Sequence, residues 1–258
     1  MIYETLTYGV DQDIAVITLN RPTVMNALNT QMRAEITDAM RKAGQAARVV
    51  VLTGSGRAFC SGQDLGAEGN FADIDLERTL KDEYVPMLKA ITECPVPTIS
   101  AVNGPAAGAG ANLALAADVV IAAESAYFVQ AFTRIGLIPD AGGTYLLPRQ
   151  MGLAKAMGAA LFADKIYARQ ASEMGMIWES VADEKFASQW QARAAHLATG
   201  PTETYGHLKT AIRQSLSNSE EQQLELEARL QGACGRTRDF KEGVTAFLDK
   251  RVAKFEGR

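Results

Sequence analysis

The segment TISAVNGPAAGAGANLALAAD, residues 98–118, constrains the fold of this 258-residue chain more than any other part of the sequence. Its first five residues read as a buried strand, and Gly104 and Pro105 end that strand. Residues 109–117 then have high helical propensity and few polar atoms. The pattern therefore predicts a helix that begins at the tip of a strand, which is typical of a layered α/β fold.

The start of such a helix exposes backbone N–H groups that have no partner inside the helix. The small residues Gly108, Ala109 and Gly110 would let a ligand approach these groups, and an oxyanion or a phosphate would suit them. The chain contains no GxxxxGK[ST] motif, and the GAG segment is not completed to GxGxxG, so a nucleotide-binding loop is not favoured. Close packing of the helix on a strand would require the same small residues, and this alternative stays open.

Composition limits the function classes. With 47% hydrophobic residues the chain can form a packed core, and its net charge of −4 argues against nonspecific binding of nucleic acid. No apolar stretch reaches membrane-spanning length, and the amino terminus reads directly as a strand rather than as a signal peptide. Cys60, Cys94 and Cys234 are widely spaced and lack CxxC pairing, which fits a reducing cytoplasm. We expect a cytoplasmic protein that binds small molecules or copies of itself.

The remaining sequence alternates between strands and helices. We predict one α/β core over residues 1–200 and a helical region over residues 201–258, in which the amphipathic run from Glu220 to Leu230 covers either a partner subunit or its own core. The predicted elements of the core are a hairpin of residues 2–8 and 14–19, a helix over 30–47 capped by Thr30, a strand over 48–53, a helix over about 73–92, short strands over 119–122 and 126–129, a loop at GLIPDAGGT and helices from Tyr145 onward.

Four segments occur in a fixed order: NRPTVMNAL at 20–28, GSGRAFCSGQDL at 54–65, AVNGPAAGAGANLALAAD at 101–118 and IGLIPDAGGTYLLPR at 135–149. Together with EGVTAFLDKR at 242–251, they resemble the crotonase superfamily, the enoyl-CoA hydratase and isomerase family. Within it they are most similar to isomerases of bacterial phenylacetate catabolism. The resemblance covers nearly the whole chain.

The resemblance implies a crotonase spiral of ββα units, with a helical trimerisation region at the carboxyl end and assembly as a homotrimer or a hexamer of two trimers. It also implies a thioester carbonyl held between two backbone N–H groups, which map to Gln63 and Ala109. Such donors stabilise the enolate that forms when a proton leaves the carbon beside the thioester, and each is worth about 3 kcal/mol.

The acid–base residues depart from the hydratase pattern. The two glutamates of hydratases in this family map to Asn112 and Phe132, and neither residue can ionise. Asp140 lies where similar isomerases carry their base, and one carboxylate can take a proton from one carbon and return it to another. We expect the apolar neighbours Phe132, Leu137 and Ile138 to raise its pKa. The alternative role of Asp140 is an ordinary helix N-cap.

Coenzyme A contacts follow from the same resemblance. Phe247 and Lys250 match positions that reach the coenzyme A of a neighbouring subunit, although Lys250 alone would also fit a solvated charge near the chain end. Because coenzyme A belongs to the substrate, we expect no metal ion and no redox cofactor. Backbone near six further residues would contact the adenine and the pantetheine: Met25, Ala27, Ala58, Ser61, Asp64 and Leu65.

Other side chains receive structural interpretations: Cys60 as a packed thiol, residues 174–178 as core, and Glu83 and Glu124 as solvated carboxylates. The predicted function is isomerisation of an acyl-CoA thioester, either a ring epoxide of phenylacetyl-CoA or a 3-enoyl-CoA. The alternatives are an enoyl-CoA hydratase with a further acid and a catalytically silent acyl-CoA-binding assembly partner. Residues 66–84, which we expect to shape the acyl pocket, carry no motif that identifies the acyl group.

Overall fold

A computed structural model describes residues 3–66 and 75–258 of the chain. The strands are β1 (Leu6–Asp11), β2 (Ile14–Leu19), β3 (Val49–Gly54), β4 (Thr98–Val102), β5 (Ala106–Ala107), β6 (Val119–Ala123), β7 (Tyr127–Val129), β8 (Ile166–Tyr167) and β9 (Glu179–Val181). The helices are α1 (Thr30–Ala46), α2 (Leu76–Thr79), α3 (Val85–Thr92), α4 (Ala109–Leu115), α5 (Gly143–Phe162), α6 (Ala168–Glu173), α7 (Asp183–Ala198), α8 (Thr202–Gln214), α9 (Glu220–Cys234) and α10 (Arg238–Leu248). A π-helical turn, Leu80–Tyr84, joins α2 to α3.

Among the described residues, the main sheet has six strands in the order β1-β2-β3-β4-β6-β9. β1 and β2 form an antiparallel hairpin, and every other pair in this sheet is parallel. A smaller sheet has the order β5-β7-β8. Leu19 pairs with Gly54 and Thr53 pairs with Ala101, so the loops that follow β2, β3 and β4 leave the same edge of the main sheet. Ligand sites of parallel sheets form at this carboxyl edge.

The predicted hairpin is confirmed, with shifted bounds. β1 extends to Asp11, and the turn contains only Gln12 and Asp13, whose φ angles are 47° and 62°. Two residues of positive φ match the twist of a tight hairpin. The first residue of the predicted strand, residue 2, lies outside the described residues.

Three helix predictions need correction. Asn29, and not Thr30, caps α1, because its side chain accepts a 2.9 Å hydrogen bond from Met32 N. α4 ends at Leu115 rather than at residue 117. The predicted helix over 73–92 begins at Leu76 in the described chain and contains the π-helical turn, while residues 73 and 74 are outside the described part. Strands β8 and β9 correct the prediction of helices from Tyr145 onward. Their two and three residues carry no strand alternation that distinguishes them from the helices around them.

The region after residue 200 is helical, as predicted, and α8 packs on the core. Lys209 Nζ donates to the carbonyls of Cys94 and Val96, and Arg213 forms an ion pair with Asp118. Large apolar side chains of α8, α9 and α10 remain exposed in this single chain, among them Leu208, Ile212, Leu224, Phe240 and Phe247. Helix α8 therefore covers its own core. What the run from Glu220 to Leu230 covers, and the boundary at residue 200, stay predictions. No helix over residues 3–66 or 75–258 is long and apolar enough to cross a membrane.

Candidate active site

The Asn26 side chain links the loops that follow β2 and β3 through hydrogen bonds. Its side chain is fully buried, and Nδ2 donates to the carbonyl oxygens of Ser55, Ala58 and Phe59. Its Oδ1 accepts a hydrogen bond from Arg21 N. The sequence interpretation missed this role, although an asparagine between turn residues is a known signal of positive φ, here 55°.

The backbone of Gln63 has a fixed orientation. Leu28 N donates to Gly62 O over 2.8 Å, and Asp64 N donates to Leu28 O over 3.0 Å. The carbonyl and the N–H of one trans peptide point in opposite directions. Because the Gly62 carbonyl faces Leu28, the N–H of Gln63 points away from Leu28.

The other predicted donor, Ala109, lies against the same loop. A Cβ placed on Gly62, whose φ is +95°, would be 3.5 Å from Ala109 N and 2.8 Å from Ala107 O. The Gly108 N–H donates to Val129 O, and Ala109 is the first residue of α4, where an N–H has no partner within its own helix. The structure thus brings Gln63 and Ala109 together, as the oxyanion-hole prediction requires.

Gly110 serves close packing rather than ligand access. A Cβ at this position would be 2.4 Å from Cys60 O and 2.7 Å from Cys60 Sγ. The packing alternative is therefore correct for Gly110, and the expectation that this residue opens space for a substrate is wrong. Burial raises the pKa of the Cys60 thiol to about 12, so the side chain is a packed thiol, as predicted.

Asp140 lies in the loop before α5 and does not cap that helix. The N-cap residue of α5 is Gly142, and no side chain in the described part of the chain caps the helix. The Asp140 carboxyl is partly buried, and its Oδ1 is inaccessible and lacks a hydrogen-bond partner within residues 3–66 and 75–258. Burial raises the pKa of this carboxyl from 3.8 to about 6. A partly buried carboxylate of raised pKa has the properties of a general base.

Asn112 holds the backbone of the Asp140 loop. Its Nδ2 donates to Asp140 O over 2.8 Å, and its Oδ1 accepts a 3.0 Å hydrogen bond from Gln130 Nε2. Both amides are buried. Since Asn112 belongs to α4, this helix connects Ala109 with the loop of the carboxylate. The sequence interpretation noted only that Asn112 cannot ionise and missed that it fixes this loop.

The apolar surroundings of Asp140 differ in part from the expectation. Phe132 is buried, and its ring lies 3.7 Å from the position of a Cβ on Gly108. Ile138 is 75% exposed, which argues against a large contribution of this side chain to the raised pKa. Burial raises the pKa of the Tyr84 hydroxyl, and the Asp140 carboxylate adds to this increase.

The residues predicted to contact coenzyme A fall into two groups. Ser61 N donates to Met25 O, while Arg21 Nη1 donates to Ala27 O and forms a 2.7 Å ion pair with Asp64. The loops of Met25, Ala27, Ala58, Ser61, Asp64 and Leu65 are thus adjacent, and the Asp64 carboxylate is already paired. Phe247 and Lys250 lie at the end of α10, and no hydrogen bond or ion pair of the described chain joins them to these loops. Phe247 is 82% exposed.

The structure agrees with some of the remaining side-chain predictions and contradicts others. Glu83 is not a solvated carboxylate, because it forms a 2.7 Å ion pair with the buried Arg33. Glu124 is largely exposed and pairs with Arg169. Met176 and Ile177 are core residues as predicted, whereas Trp178 is exposed. The described residues contain no group of three or more histidine, cysteine or acidic side chains that could hold a metal ion.

The family model of enoyl-CoA hydratase/isomerase matches residues 9–258. The chain belongs to this family. A Rhodobacter capsulatus protein named "Probable enoyl-CoA hydratase" is 60% identical over the full length of both chains. The 1,2-epoxyphenylacetyl-CoA isomerase of Escherichia coli is 45% identical over 99% of each chain. The crystal structure of an enoyl-CoA hydratase from Polaromonas superposes with a TM-score of 0.92 at 29% identity, covering 97% of this chain and 99% of that one.

The resemblance to the crotonase superfamily and the predicted crotonase fold are therefore confirmed. The protein is an enzyme of the hydratase or isomerase type, and proteins of this fold bind acyl-CoA substrates. The names of the relatives divide between the two reactions.

Proposed function

We propose that this enzyme is an acyl-CoA thioester isomerase that uses Asp140 as its only acid–base group. The observation that carries the proposal is the partly buried Asp140 carboxyl, whose Oδ1 has no partner in the described chain and whose pKa is raised to about 6. At neutral pH most of this group is ionised and can accept a proton. A pKa just below the working pH also lets it return that proton within the same turnover.

In the proposed mechanism, the N–H groups of Gln63 and Ala109 bind the thioester oxygen. Asp140 removes a proton from the carbon beside the thioester, and the two N–H groups stabilise the negative charge on the oxygen. The protonated carboxyl then delivers the proton to a different carbon. For a 3-enoyl-CoA, this shift moves the double bond into conjugation with the thioester.

The same surroundings disfavour hydration by two carboxylates. Asn112, at one position of the hydratase glutamates, uses its amide to hold Asp140 O, and the other position holds the buried ring of Phe132. Neither side chain can activate water as a base. Hydration remains the second candidate, because the 60% identical relative carries a hydratase name.

The proposed substrate is a 3-enoyl-CoA or a ring epoxide of phenylacetyl-CoA. The E. coli relative at 45% identity supports the second by its name. Coenzyme A would contact the adjacent loops of Met25 and Ser61, mainly through backbone groups. The proposed reaction needs no metal ion or redox cofactor. We further propose a trimer or a dimer of trimers, in which Phe247 and Lys250 reach a neighbour's coenzyme A, and the exposure of Phe247 supports this arrangement.

The first prediction concerns Asp140→Asn. Asparagine keeps the size of the side chain but cannot accept the substrate proton, so proton exchange and double-bond migration should fall at least about 10³-fold, within the range typical of a lost general base. Deuterium uptake into a 3-enoyl-CoA, followed by NMR, measures this loss. Asp38→Asn, which changes a carboxylate that pairs with Lys42, is the matched control and should keep full activity. Near-normal exchange by Asp140→Asn would contradict the proposal.

A further inference from the structure

Arg33, Glu83 and Tyr84 form a side-chain cluster with Gln63, in which Arg33 and Tyr84 are buried. Arg33 Nη1 donates to Gln63 Oε1 over 2.7 Å, and the Tyr84 hydroxyl donates to the same oxygen. The Arg33 side chain has no solvent exposure, and Tyr84 is 3% exposed. Two donors from different elements thus fix one acceptor oxygen.

The guanidinium of Arg33 is itself firmly held. Its Nε and Nη2 contact Glu83 Oε2 at 2.9 and 2.7 Å, and its central carbon lies 4.9 Å from the centre of the Tyr84 ring. A buried arginine needs such compensation, because an unpaired charge would cost several kcal/mol. The π-helical turn Leu80–Tyr84 brings the consecutive residues Glu83 and Tyr84 to the same guanidinium. Turns of this type are frequent at functional sites.

The cluster also reaches the backbone around Gln63. Arg33 Nη1 donates to Leu28 O over 2.9 Å, and this carbonyl is the acceptor of Asp64 N. Leu28 N in turn binds Gly62 O. Arg33 therefore contacts the Gln63 side chain. It also contacts Leu28, whose backbone binds the Gly62 carbonyl and the Asp64 N–H.

We propose that Arg33 and Tyr84 are positioning residues that hold Gln63 so that its N–H points at the thioester oxygen of the substrate. This inference rests on the proposed role of Gln63 as an oxyanion-hole donor. The stabilisation that such a donor provides depends strongly on its distance and direction, and a displacement of about 1 Å can reduce turnover about 100-fold. The hydrogen bonds to the Gln63 side chain add to those of the flanking backbone, and together they limit rotation of the Gly62–Gln63 peptide.

Tyr84→Phe tests the inference, since it removes one hydroxyl and keeps the ring beside Arg33. The readout is the red shift in absorption of a bound arylacryloyl-CoA, which reports polarisation of the thioester carbonyl without turnover. We expect a smaller red shift and a decrease in kcat of about tenfold, with KM changed less than about twofold. Tyr3→Phe, which loses a hydroxyl hydrogen bond to Asp38, is the matched control and should change neither quantity.

A double-mutant cycle separates positioning from general stability. In the Gln63→Ala background the target oxygen is absent while the backbone N–H remains, so Tyr84→Phe should cause no further loss. Burial keeps Tyr84 neutral by raising its pKa, and the pH midpoint of kcat/KM should therefore stay unchanged. A normal red shift and normal kcat in Tyr84→Phe, or an equal loss in the Gln63→Ala background, would overturn the inference.

The experiment distinguishes this inference from the proposed function. A wild-type protein that shifts the absorption but moves no double bond would contradict isomerase activity, and the Tyr84→Phe shift would still decide the role of the cluster. A wild-type isomerase with an unaffected Tyr84→Phe variant would contradict only the positioning role. A wild-type protein that produces no shift with the bound probe would contradict both.

Discussion

At the residue scale, the burial of the Asp140 carboxyl lowers the stability of the folded chain and favours the proposed role of this group as a base. Its Oδ1 is buried without a partner in residues 3–66 and 75–258, and desolvation raises its pKa to about 6. A residue used only for structure would gain stability from a hydrogen bond or from solvent. The loop instead receives its support through the main chain, where Asn112 binds Asp140 O.

The pH dependence of turnover follows from this pKa. Asp140 must be ionised to accept a proton, so kcat/KM should rise with pH, reach half its maximum near pH 6 and level off above about pH 7. Initial rates between pH 4.5 and 8.5 with a 3-enoyl-CoA measure the profile. A midpoint near 3.8, the ordinary value, would show that burial does not control the base.

The stability of the wild type should depend on pH in the opposite sense to its activity. The folded state holds the Asp140 proton up to about pH 6 and the unfolded chain releases it near 3.8, so the wild type loses free energy of unfolding as pH rises between these values. Asparagine removes this loss. The variant should be more stable than the wild type by about 1 kcal/mol at pH 8 and should lose this advantage below pH 4. Urea unfolding at both pH values tests this, and a pH-independent difference would contradict it.

At the element scale, the position of the first turn of α4 determines how close together the N–H groups of Gln63 and Ala109 can lie. Gly110 has no room for a Cβ, because Cys60 O would lie 2.4 Å away. Gly110→Ala should therefore separate α4 from the loop after β3 and destabilise the protein by about 1–3 kcal/mol. It should also reduce the absorption shift of a bound arylacryloyl-CoA.

Gly158→Ala in α5 is the matched control, since its Cβ would meet only Phe162 Cδ2 at 4.0 Å. This change should be neutral or stabilising, because alanine favours a helix interior. Chemical unfolding of both variants measures the effect. Equal stability of Gly110→Ala and Gly158→Ala would contradict the packing role of Gly110.

The sequence predicts those elements whose pattern of apolar and polar residues matches their burial in the fold. The buried strand β4 and the helix that follows it were found from small and β-branched residues alone, and the hairpin was found from its alternation. The cap at Asn29 was missed, because two neighbouring residues could both cap a helix. The π-helical turn was missed, because its hydrogen bonds have no distinct residue pattern.

For the site, the sequence supplied the positions of Gln63, Ala109 and Asp140 through the resemblance. It did not supply the contacts of Arg33 or Asn112. Arg33 appears as one charged residue on an amphipathic helix, and only tertiary structure shows that it is fully buried beside Gln63. The same holds for Asn112, whose partner Asp140 O is 28 residues away in sequence.

At the scale of the whole molecule, the carboxyl-terminal tail folds back on the core. Arg48 donates to Thr202 Oγ1 and to Phe255 O, and the Asp239 carboxylate accepts from the N–H groups of Glu256 and Gly257. Removing the chain after Gly243 would remove the contacts of Phe255, Glu256 and Gly257. Point substitutions at Phe247 and Lys250 therefore test the proposed contact with coenzyme A more cleanly than truncation.

Lys250→Ala should raise the KM for an acyl-CoA about fivefold, the effect of one lost charge-assisted phosphate contact. If Lys250 serves a neighbouring subunit, mixed assemblies of Lys250→Ala and Asp140→Asn chains should contain sites with a low KM. These sites would combine Asp140 of one chain with Lys250 of the other. Lys241→Ala is the control for loss of a charge on α10. An unchanged KM in Lys250→Ala, or no recovery in the mixture, would contradict the arrangement.

The most direct test of the central claim follows the products formed from a 3-enoyl-CoA and a 2-enoyl-CoA in deuterated water by NMR. The proposed single-carboxylate mechanism predicts migration of the double bond in the 3-enoyl-CoA, deuterium at the carbon that accepts the proton, and little 3-hydroxyacyl-CoA from either substrate. Rapid formation of 3-hydroxyacyl-CoA from the 2-enoyl-CoA would contradict it and would establish a hydratase.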